Sequence, residues 1–384
     1  MRTGTMGEPN SIASRQASSS PLVLAGAGAM GRGLAALLSA SGTATTLFAR
    51  PHAARDLIEL GQLDLDGVAD GRVPTAAGPG APGVLGVIAD PAEFPDRCGI
   101  VFATKGPQLD ECVGTVAAGL AHAGRSARWV AGLQNGVVKD DVLAAGFGAG
   151  AVLRTVSTLN ARVESARRVV ISGWGHTYVG ATGGEPGDAD RFAAALGAAG
   201  VPATALPAEQ ADAVIWMKCV NAVGVFGVSA LSRLPTNVAF ARPELVDAYL
   251  SLAAEAADVA RANGVVPADF EGLPMNSRLS AGRGVTVATI VADTVALGPQ
   301  APSYSSMAQD VIAGRPTEVH QVFGDLVHRA AAAGVPVPRM RLAYALIAGQ
   351  ARPERQDPRA RGLVDHPATG RNSKPGRTGG SGSG

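Results

Sequence analysis

The chain has 384 residues, of which 46% are hydrophobic, 17% charged and 4% aromatic, and its formal net charge is +1. This composition is typical of a soluble globular protein of two domains, and it argues against nucleic acid or an anionic membrane as a partner. The three cysteines, Cys98, Cys112 and Cys219, are odd in number and lack C-x-x-C spacing. They favour a reducing cytoplasm over a disulfide framework or a zinc site.

The first elements in chain order are a strand, a helix and a second strand. Residues 1–20 are polar and rich in serine, without the apolar run of a secretory signal, and are predicted to be disordered. The strands are predicted over Pro21 to Ala25 and Thr45 to Ala49, and the helix over Met30 to Ser39. This alternation explains the apolar stretch 21–49 better than a membrane span does.

A glycine motif joins the first strand to the first helix. Gly26, Gly28 and Gly31 have the spacing G-x-G-x-x-G of a dinucleotide-binding turn. In that turn the glycines permit a tight bend and a close approach of the backbone to a pyrophosphate, which lies on the helix N-terminus. In a chain with 50 glycines the spacing alone is weak, but its place between strand and helix favours a cofactor site. The predicted cofactor contacts are Gly26, Ala27, Gly28, Ala29, Met30 and Gly31.

Arg50 ends the second strand, where an acidic residue would favour the ribose hydroxyls of NAD. An arginine there suits the 2′-phosphate of NADP, so we predict NADPH as the cofactor. An ordinary surface charge is the alternative interpretation of Arg50.

The middle of the chain continues the α/β pattern. A helix is predicted over Pro51 to Leu60, and residues 61–90 are predicted to be loops with a minor strand or two. Strands at 100–103 and 129–133 are followed by Lys105 and Asn135. Both residues are expected on the rim, which is the edge of the sheet at the carboxyl ends of its parallel strands, where ligands bind. A solvated loop lysine and a common turn asparagine are the alternatives. Further strands are predicted at 155–159, 169–171 and 177–180, followed by a helix at 188–200.

The second half is predicted to be helical. Helices are expected at 211–231, 243–262, 285–297, 306–313, 318–333 and 338–350. We predict an α/β dinucleotide-binding domain at 21–206, a helical domain at 207–350 with a cleft between them, and a disordered tail at 351–384.

Few residues of the helical half suit carbonyl chemistry. Reduction of a ketone leaves negative charge on oxygen, which requires a proton donor. Lys218 lies in an apolar segment, where a lysine tends to have a lowered pKa; a snorkelling lysine is the alternative. Glu318 and Ser306 lie at predicted helix starts, where capping or dipole roles alone would explain them. The histidines form no metal-ligand pattern, and no metal is predicted.

Taken together, these segments resemble the ketopantoate reductase (2-dehydropantoate 2-reductase) family over roughly residues 21–350. The segments that carry the resemblance are Gly26–Gly31, Ala49-Arg50, Thr104-Lys105 with Gln108, Leu133–Val137, Trp216-Met217-Lys218, Ser229-Ala230-Leu231, Ser305–Asp310, Gly314–Glu318 and Gly334–Pro338.

The resemblance implies a Rossmann-type domain followed by a helical domain like the C-terminal one of 6-phosphogluconate dehydrogenase. It implies that Lys218 is the general acid, that Asn135 lies between cofactor and substrate, and that Ser306 binds the substrate carboxylate. It further implies that Glu318 hydrogen-bonds near the cofactor ribose and the substrate. Cofactor contacts implied on the rim are Arg50, Lys105, Gln108, Asn135 and Glu318.

The sequence departs from the family where substrate asparagines are usual, four and eight residues after the lysine. Ala222 and Phe226 stand there, and Asn221 is one residue, or about 100°, out of register. We predict an NADPH-dependent reductase of ketopantoate or of a divergent 2-oxo acid or related ketone. The more apolar pocket favours a larger or less hydroxylated 2-oxo acid, or another ketone in a specialised pathway. An imine or another carbonyl, and a non-catalytic NADPH-binding regulator, are the alternatives. The expected partners are the small keto substrate and, since the helical domain could support it, a second copy in a homodimer.

Overall fold

The computed structural model describes residues 20–350 except Gln300. The predictions of disorder at 1–20 and 351–384 fall outside the described residues, apart from Ser20. Nine strands form one sheet in the order β7-β6-β1-β2-β5-β4-β3-β10-β9, and three form a second in the order β12-β11-β8. The strands are β1 Leu22–Ala25, β2 Thr45–Phe48, β3 Gln62–Gly67, β4 Gly71–Ala77, β5 Leu85–Ile88, β6 Cys98–Phe102, β7 Ala127–Gly132, β8 Thr155–Ser157, β9 Asn160–Val163, β10 Arg168–Gly173, β11 Thr177–Gly180 and β12 Ala203–Leu206.

Thirteen α-helices accompany these strands in the described part of the chain. They are α1 Ala29–Ala40, α2 Pro51–Leu60, α3 Leu109–His122, α4 Val138–Phe147, α5 Asp188–Ala198, α6 Ala208–Ser232, α7 Thr236–Ala239, α8 Pro243–Ala262, α9 Met275–Ser280, α10 Arg283–Ala296, α11 Ser306–Ile312, α12 Asp325–Ala332 and α13 Pro338–Gln350. A π-helical turn, His320–Gly324, leads into α12. No strand follows β12 among the described residues.

The central strands β7, β6, β1, β2 and β5 are parallel, and helices cover both faces of this sheet. One apolar layer contains α1, α2 and α5, and the opposite layer contains α3 and α4. The chain leaves β1 for β2 on one side and returns to β6 on the other. The order of the strands therefore reverses beside β1, at the point where parallel α/β sheets bind ligands outside their carboxyl ends.

Residues 61–90 contain more strand than expected, with β3, β4 and β5 all in the large sheet. The expectation of a minor strand or two was too low. In β3 the polar Asp64 is 8% exposed and is held by Arg167 at 2.8 Å, so an ion pair replaces the apolar pattern that marks a buried strand. β3 also pairs in parallel with β10, about a hundred residues away, and that partner gives it no local signal.

The helical half is centred on α6, which packs along α8. A Cβ atom at Gly224 would lie 2.5 Å from the Tyr249 ring, so the glycine allows the two helices to approach closely. By length and composition α6 resembles a membrane span, but 78% of its most apolar window is buried within the protein. It is the core helix of this half, and it carries Lys218.

Candidate active site between the sheet and the helical half

The turn after β1 has the geometry of an anion site. Gly26 has a φ of +122°, and a Cβ atom there would lie 2.8 Å from the Thr104 nitrogen after β6. A Cβ atom at Gly31 would lie 1.8 Å from the Gly26 oxygen, so helix α1 can pack this close only with glycine. Beside Gly28 the nearest atom is the Ala103 oxygen, 3.9 Å away from such a Cβ, which leaves room for a ligand.

Helix α1 begins directly at this turn without a side-chain cap. Gly28 is its N-cap, and no side chain accepts a hydrogen bond from the first backbone N–H groups. Arg32 stabilises the turn, since its Nε donates to the Ala27 backbone oxygen at 2.8 Å and its Nη1 to the Ala166 backbone oxygen at 2.7 Å. The free N–H groups and the positive end of the helix dipole fit a pyrophosphate.

Arg50 lies where the sequence placed it, directly after β2 on the same rim as the glycine turn. It is exposed and is the N-cap of α2. Its side chain makes no hydrogen bond or ion pair with the residues that the structure describes. The guanidinium is therefore available to a phosphate at the β2 end of the rim.

Lys105 also lies on the rim, but it is engaged across the two halves. Its ammonium forms an ion pair with both carboxylate oxygens of Asp310 on α11. Asp310 has a side chain only 4% exposed and also accepts from Arg315 Nε at 2.9 Å. Gln108, predicted beside Lys105, is exposed at the end of a short 3-10 turn. Asp310 belongs to the quoted family segment, yet nothing in its local pattern predicted this contact.

Glu318 joins the rim to the helical half. Its Oε1 accepts from the Gly106 backbone N–H at 2.9 Å, and its Oε2 accepts from Asn135 Nδ2 at 2.8 Å. Thr317 Oγ1 accepts from the Val319 N–H at 3.3 Å, so this threonine caps the start of the helical segment. The helical segment begins at Val319 rather than at Glu318, so the carboxylate is free to turn towards the rim. The structure thus brings together two of the three predicted catalytic residues.

Lys218, the third, lies partly buried on α6 and makes no hydrogen bond or ion pair with the described residues. Burial lowers the pKa of its ammonium to about 8, against the opposing influence of the Glu318 carboxylate. The Lys139 ammonium lowers the pKa of Lys218 further. Lys139 was not predicted from the sequence; it is 2% exposed and pairs with Asp140 at 2.7 Å. Lys218 therefore has the electrostatic character of a general acid near neutral pH.

The next two turns of α6 are apolar. Ala222 and Phe226 are 6% and 7% exposed, and both belong to the core of the helical half. Asn221 accepts a hydrogen bond from the Tyr249 hydroxyl at 2.9 Å, so its side chain is engaged with α8. It does not replace the asparagines missing at 222 and 226.

Ser306 is the first residue of α11, and it is exposed. The preceding Ser305 caps this helix by accepting from the Ala308 N–H at 3.2 Å. The Ser305 hydroxyl also lies 2.5 Å from that of Ser229, which fixes the start of α11 against α6. The capping role considered for Ser306 therefore falls to Ser305, and the Ser306 hydroxyl remains accessible to a ligand.

Comparison with known proteins agrees with this arrangement. The family model described as "Ketopantoate reductase PanE/ApbA" matches residues 22–184, and that described as "Ketopantoate reductase PanE/ApbA C terminal" matches residues 210–351. A 2-dehydropantoate 2-reductase from Archaeoglobus fulgidus is 28% identical over 256 residues, which cover 66% of this chain and 77% of the relative.

Solved structures share the fold. A 2-dehydropantoate 2-reductase from Geobacter metallireducens has a TM-score of 0.69 at 22% identity, covering 86% of this chain and 99% of its own. D-mandelate dehydrogenase with NADH and anilino(oxo)acetate has a TM-score of 0.66 at 18% identity, covering 86% and 98%. With the Rossmann-type sheet, the helical half and the matched motifs in place, the chain belongs to the ketopantoate reductase family of oxidoreductases.

Proposed function

We propose that this protein is an NADPH-dependent reductase of a 2-oxo acid whose side chain is more apolar than that of ketopantoate. The observation that best supports this proposal is the row of three side chains along one face of α6. Lys218 carries an ammonium of lowered pKa, and Ala222 and Phe226 follow at four-residue spacing. A pocket without asparagines gives up hydrogen bonds to substrate hydroxyls and gains apolar contact. D-mandelate dehydrogenase, bound to anilino(oxo)acetate, is an example of the same fold with an aromatic 2-oxo acid analogue.

Each residue of the candidate site has a separate role in the proposed reaction. The turn at Gly26 to Gly31 would hold the diphosphate of NADPH, which when bound would supply the hydride for the carbonyl carbon. Lys218 Nζ gives a proton to the carbonyl oxygen, which becomes the hydroxyl of the product. Ser306 binds the substrate carboxylate. Glu318 keeps Asn135 and Gly106 in place, so that the rim is held against the helical half.

Substrate choice is tested by following NADPH oxidation with ketopantoate, 3-methyl-2-oxobutanoate, benzoylformate and phenylpyruvate. We expect kcat/KM for at least one of the last three to exceed that for ketopantoate roughly tenfold or more. The variant Ala222→Asn/Phe226→Asn should reverse the preference. Preferred turnover of ketopantoate by the natural protein would contradict the apolar substrate, and no oxidation with any 2-oxo acid would favour an imine, another carbonyl or a regulator.

The pKa of Lys218 predicts how the reaction depends on pH. The pKa is lowered from 10.5 to about 8, so the ammonium is present below that pH and is lost above it. Reduction needs the ammonium, and kcat/KM for reduction should therefore fall about tenfold per pH unit above about pH 8. Oxidation of the product alcohol needs the neutral amine and should rise to a plateau over the same range. A flat profile in both directions would contradict Lys218 as the acid.

Removing the positive charge of Lys139 should shift the pH profile of kcat/KM for reduction to higher pH. Its positive charge lowers the pKa of Lys218, so removing the charge should raise that pKa and extend reduction to higher pH. The variant to use is Lys139→Met/Asp140→Asn, because breaking only one half of a buried pair costs about 3–5 kcal/mol of stability. An unchanged or lowered pKa of the kcat/KM profile would contradict the coupling.

The cofactor preference depends on Arg50. We expect Arg50→Ala to weaken NADPH binding about tenfold to a hundredfold, because charge-assisted contacts to the 2′-phosphate are lost, and to leave NADH binding nearly unchanged. Arg242→Ala is the matched control, since Arg242 is likewise an exposed helix N-cap followed by proline. Equal effects of Arg50→Ala on both cofactors, measured by calorimetric titration, would contradict the NADP assignment.

A further inference from the structure

Gln321 lies at the junction between the rim and the helical half, three residues after Glu318. It is part of the π-helical turn His320–Gly324, a distortion often found at functional sites. A Cβ atom at Gly106 would lie 3.1 Å from Gln321 Cγ, and one at Gly136 would lie 2.5 Å from the Gln321 backbone oxygen. The residue is therefore held between the loops that follow β6 and β7.

The side-chain amide of Gln321 has no partner in the described part of the chain. Its Oε1 is enclosed without a hydrogen-bond donor, and its Nε2 donates to none of these residues. Gln134 Oε1 is also without a donor, but Gln134 Nε2 is held by the Phe102 and Thr104 backbone oxygens at 3.1 and 2.9 Å. An enclosed acceptor without a donor is unfavourable, so a side-chain rotation that brings Oε1 to a donor on a ligand is favoured. Gln321 is therefore the better candidate for a ligand contact.

The position along the sheet indicates which part of a ligand lies near. A dinucleotide spans the rim across the point where strand order reverses, with one nucleotide on each side. Arg50 marks the 2′-phosphate side after β2, so the nicotinamide half falls on the opposite side, after β6 and β7. Gln321 borders these loops beside Glu318 and Asn135, which already bond each other.

We propose that Gln321 binds the carboxamide of the nicotinamide, with Oε1 accepting from its NH2 group and Nε2 donating to its oxygen. The proposal rests on the proposed use of NADPH. Two primary amides are complementary, since each offers one acceptor and two donors. The contact fixes the rotation of the carboxamide and so selects nicotinamide over ring substituents that lack the NH2 group.

The test compares NADPH with reduced 3-acetylpyridine adenine dinucleotide phosphate, in which a methyl group replaces the carboxamide NH2. Dissociation constants are measured by calorimetric titration for the natural protein and for Gln321→Leu, with Gln210→Leu on an exposed turn of α6 as the matched control. We expect the natural protein and the control to bind NADPH roughly fivefold to tenfold more tightly than the analogue, as one hydrogen bond allows. Gln321→Leu should lose that discrimination. Gln321→Met, unbranched, takes its place if Gln321→Leu does not fold.

The proposal is overturned if Gln321→Leu still binds NADPH more tightly than the analogue, or if the natural protein binds both equally well. It is also overturned if Gln321→Leu weakens the binding of both ligands by the same factor. The last of these outcomes would indicate a structural role for Gln321. Failure of the natural protein to bind NADPH at all would instead overturn the proposed function, so the two failures are distinct.

Discussion

Replacing Lys218 by methionine is expected to lower kcat for reduction of the 2-oxo acid by about 10²- to 10⁴-fold, the usual contribution of a positioned proton donor. The dissociation constant of NADPH should stay within about twofold, because the proposed cofactor contacts lie on the rim and not on α6. Methionine keeps the length of the side chain, so the apolar surroundings of α6 remain filled. Steady-state kinetics and calorimetric titration of the same preparation measure both quantities.

Arg341→Met provides the matched control for this variant. Arg341 is exposed on α13, and its side chain makes no hydrogen bond or ion pair with the described residues. Its kcat should be that of the natural protein. A Lys218→Met variant that retains both NADPH binding and full turnover would refute the general-acid assignment, and one without NADPH binding would place Lys218 in the cofactor site.

Replacing Glu318 by alanine is expected to lower kcat/KM roughly 10²-fold. The carboxylate accepts from both Gly106 and Asn135, and each donor left without a partner costs about 1–3 kcal/mol. The negative charge of Glu318 also raises the pKa of Lys218, so removing that charge should shift the fall of kcat/KM to lower pH. Both effects are read from kcat/KM profiles between about pH 6 and pH 10.

Glu244→Ala separates this role from a plain interaction with the helix dipole. Glu244 is an exposed glutamate in the first turn of α8 and makes no side-chain hydrogen bond with the described residues. A dipole contribution alone is about 0.3–1 kcal/mol and would affect stability equally in both variants. Similar small losses for Glu318→Ala and Glu244→Ala, with an unshifted pH profile, would show that Glu318 does not support the site.

The elements that the sequence predicted well carry strong local signals. β1, the glycine turn and α1 follow from a buried apolar run, a fixed glycine spacing and helical periodicity. Helices α2, α8 and α13 begin at a proline, which restricts φ at the first helical position, and their predicted bounds are those of the structure. Local chemistry was sufficient wherever an element could be recognised without its partners.

Elements with weak local signals were missed. No helix was predicted for α3 or α4, each interrupted by glycine. In α3 a Cβ atom at Gly119 would lie 2.5 Å from the Pro91 ring, so close packing against a neighbour selects a poor helix former. β9 is a short strand at one edge of the nine-stranded sheet, and β12 is a short strand at one edge of the three-stranded sheet. Both form only by pairing with other segments of the chain.

The candidate site shows the same division. Arg50 and the glycine turn could be placed from strand ends alone. The contact between Asn135 and Glu318 joins residues 183 apart, and that between Lys105 and Asp310 joins residues 205 apart. Neither contact can be deduced from periodicity. The end of its strand placed Asn135 on the rim, but only resemblance to a family pointed to its role between cofactor and substrate and to Glu318 beside the cofactor. Lys139 and Gln321 carried no signal, because a lysine after Asn-Gly and a glutamine on a helix are ordinary surface residues.

The most direct test of the proposed mechanism is the distance between Lys218 Nζ and the reacting oxygen. A crystal structure with NADP⁺ and an unreactive 2-oxo acid analogue such as oxamate measures it. We expect the analogue's carbonyl oxygen about 2.6–3.2 Å from Lys218 Nζ, with the diphosphate on the turn at Gly28. An oxygen beyond the reach of that ammonium, or a dinucleotide bound away from the glycine turn, would contradict the proposed mechanism.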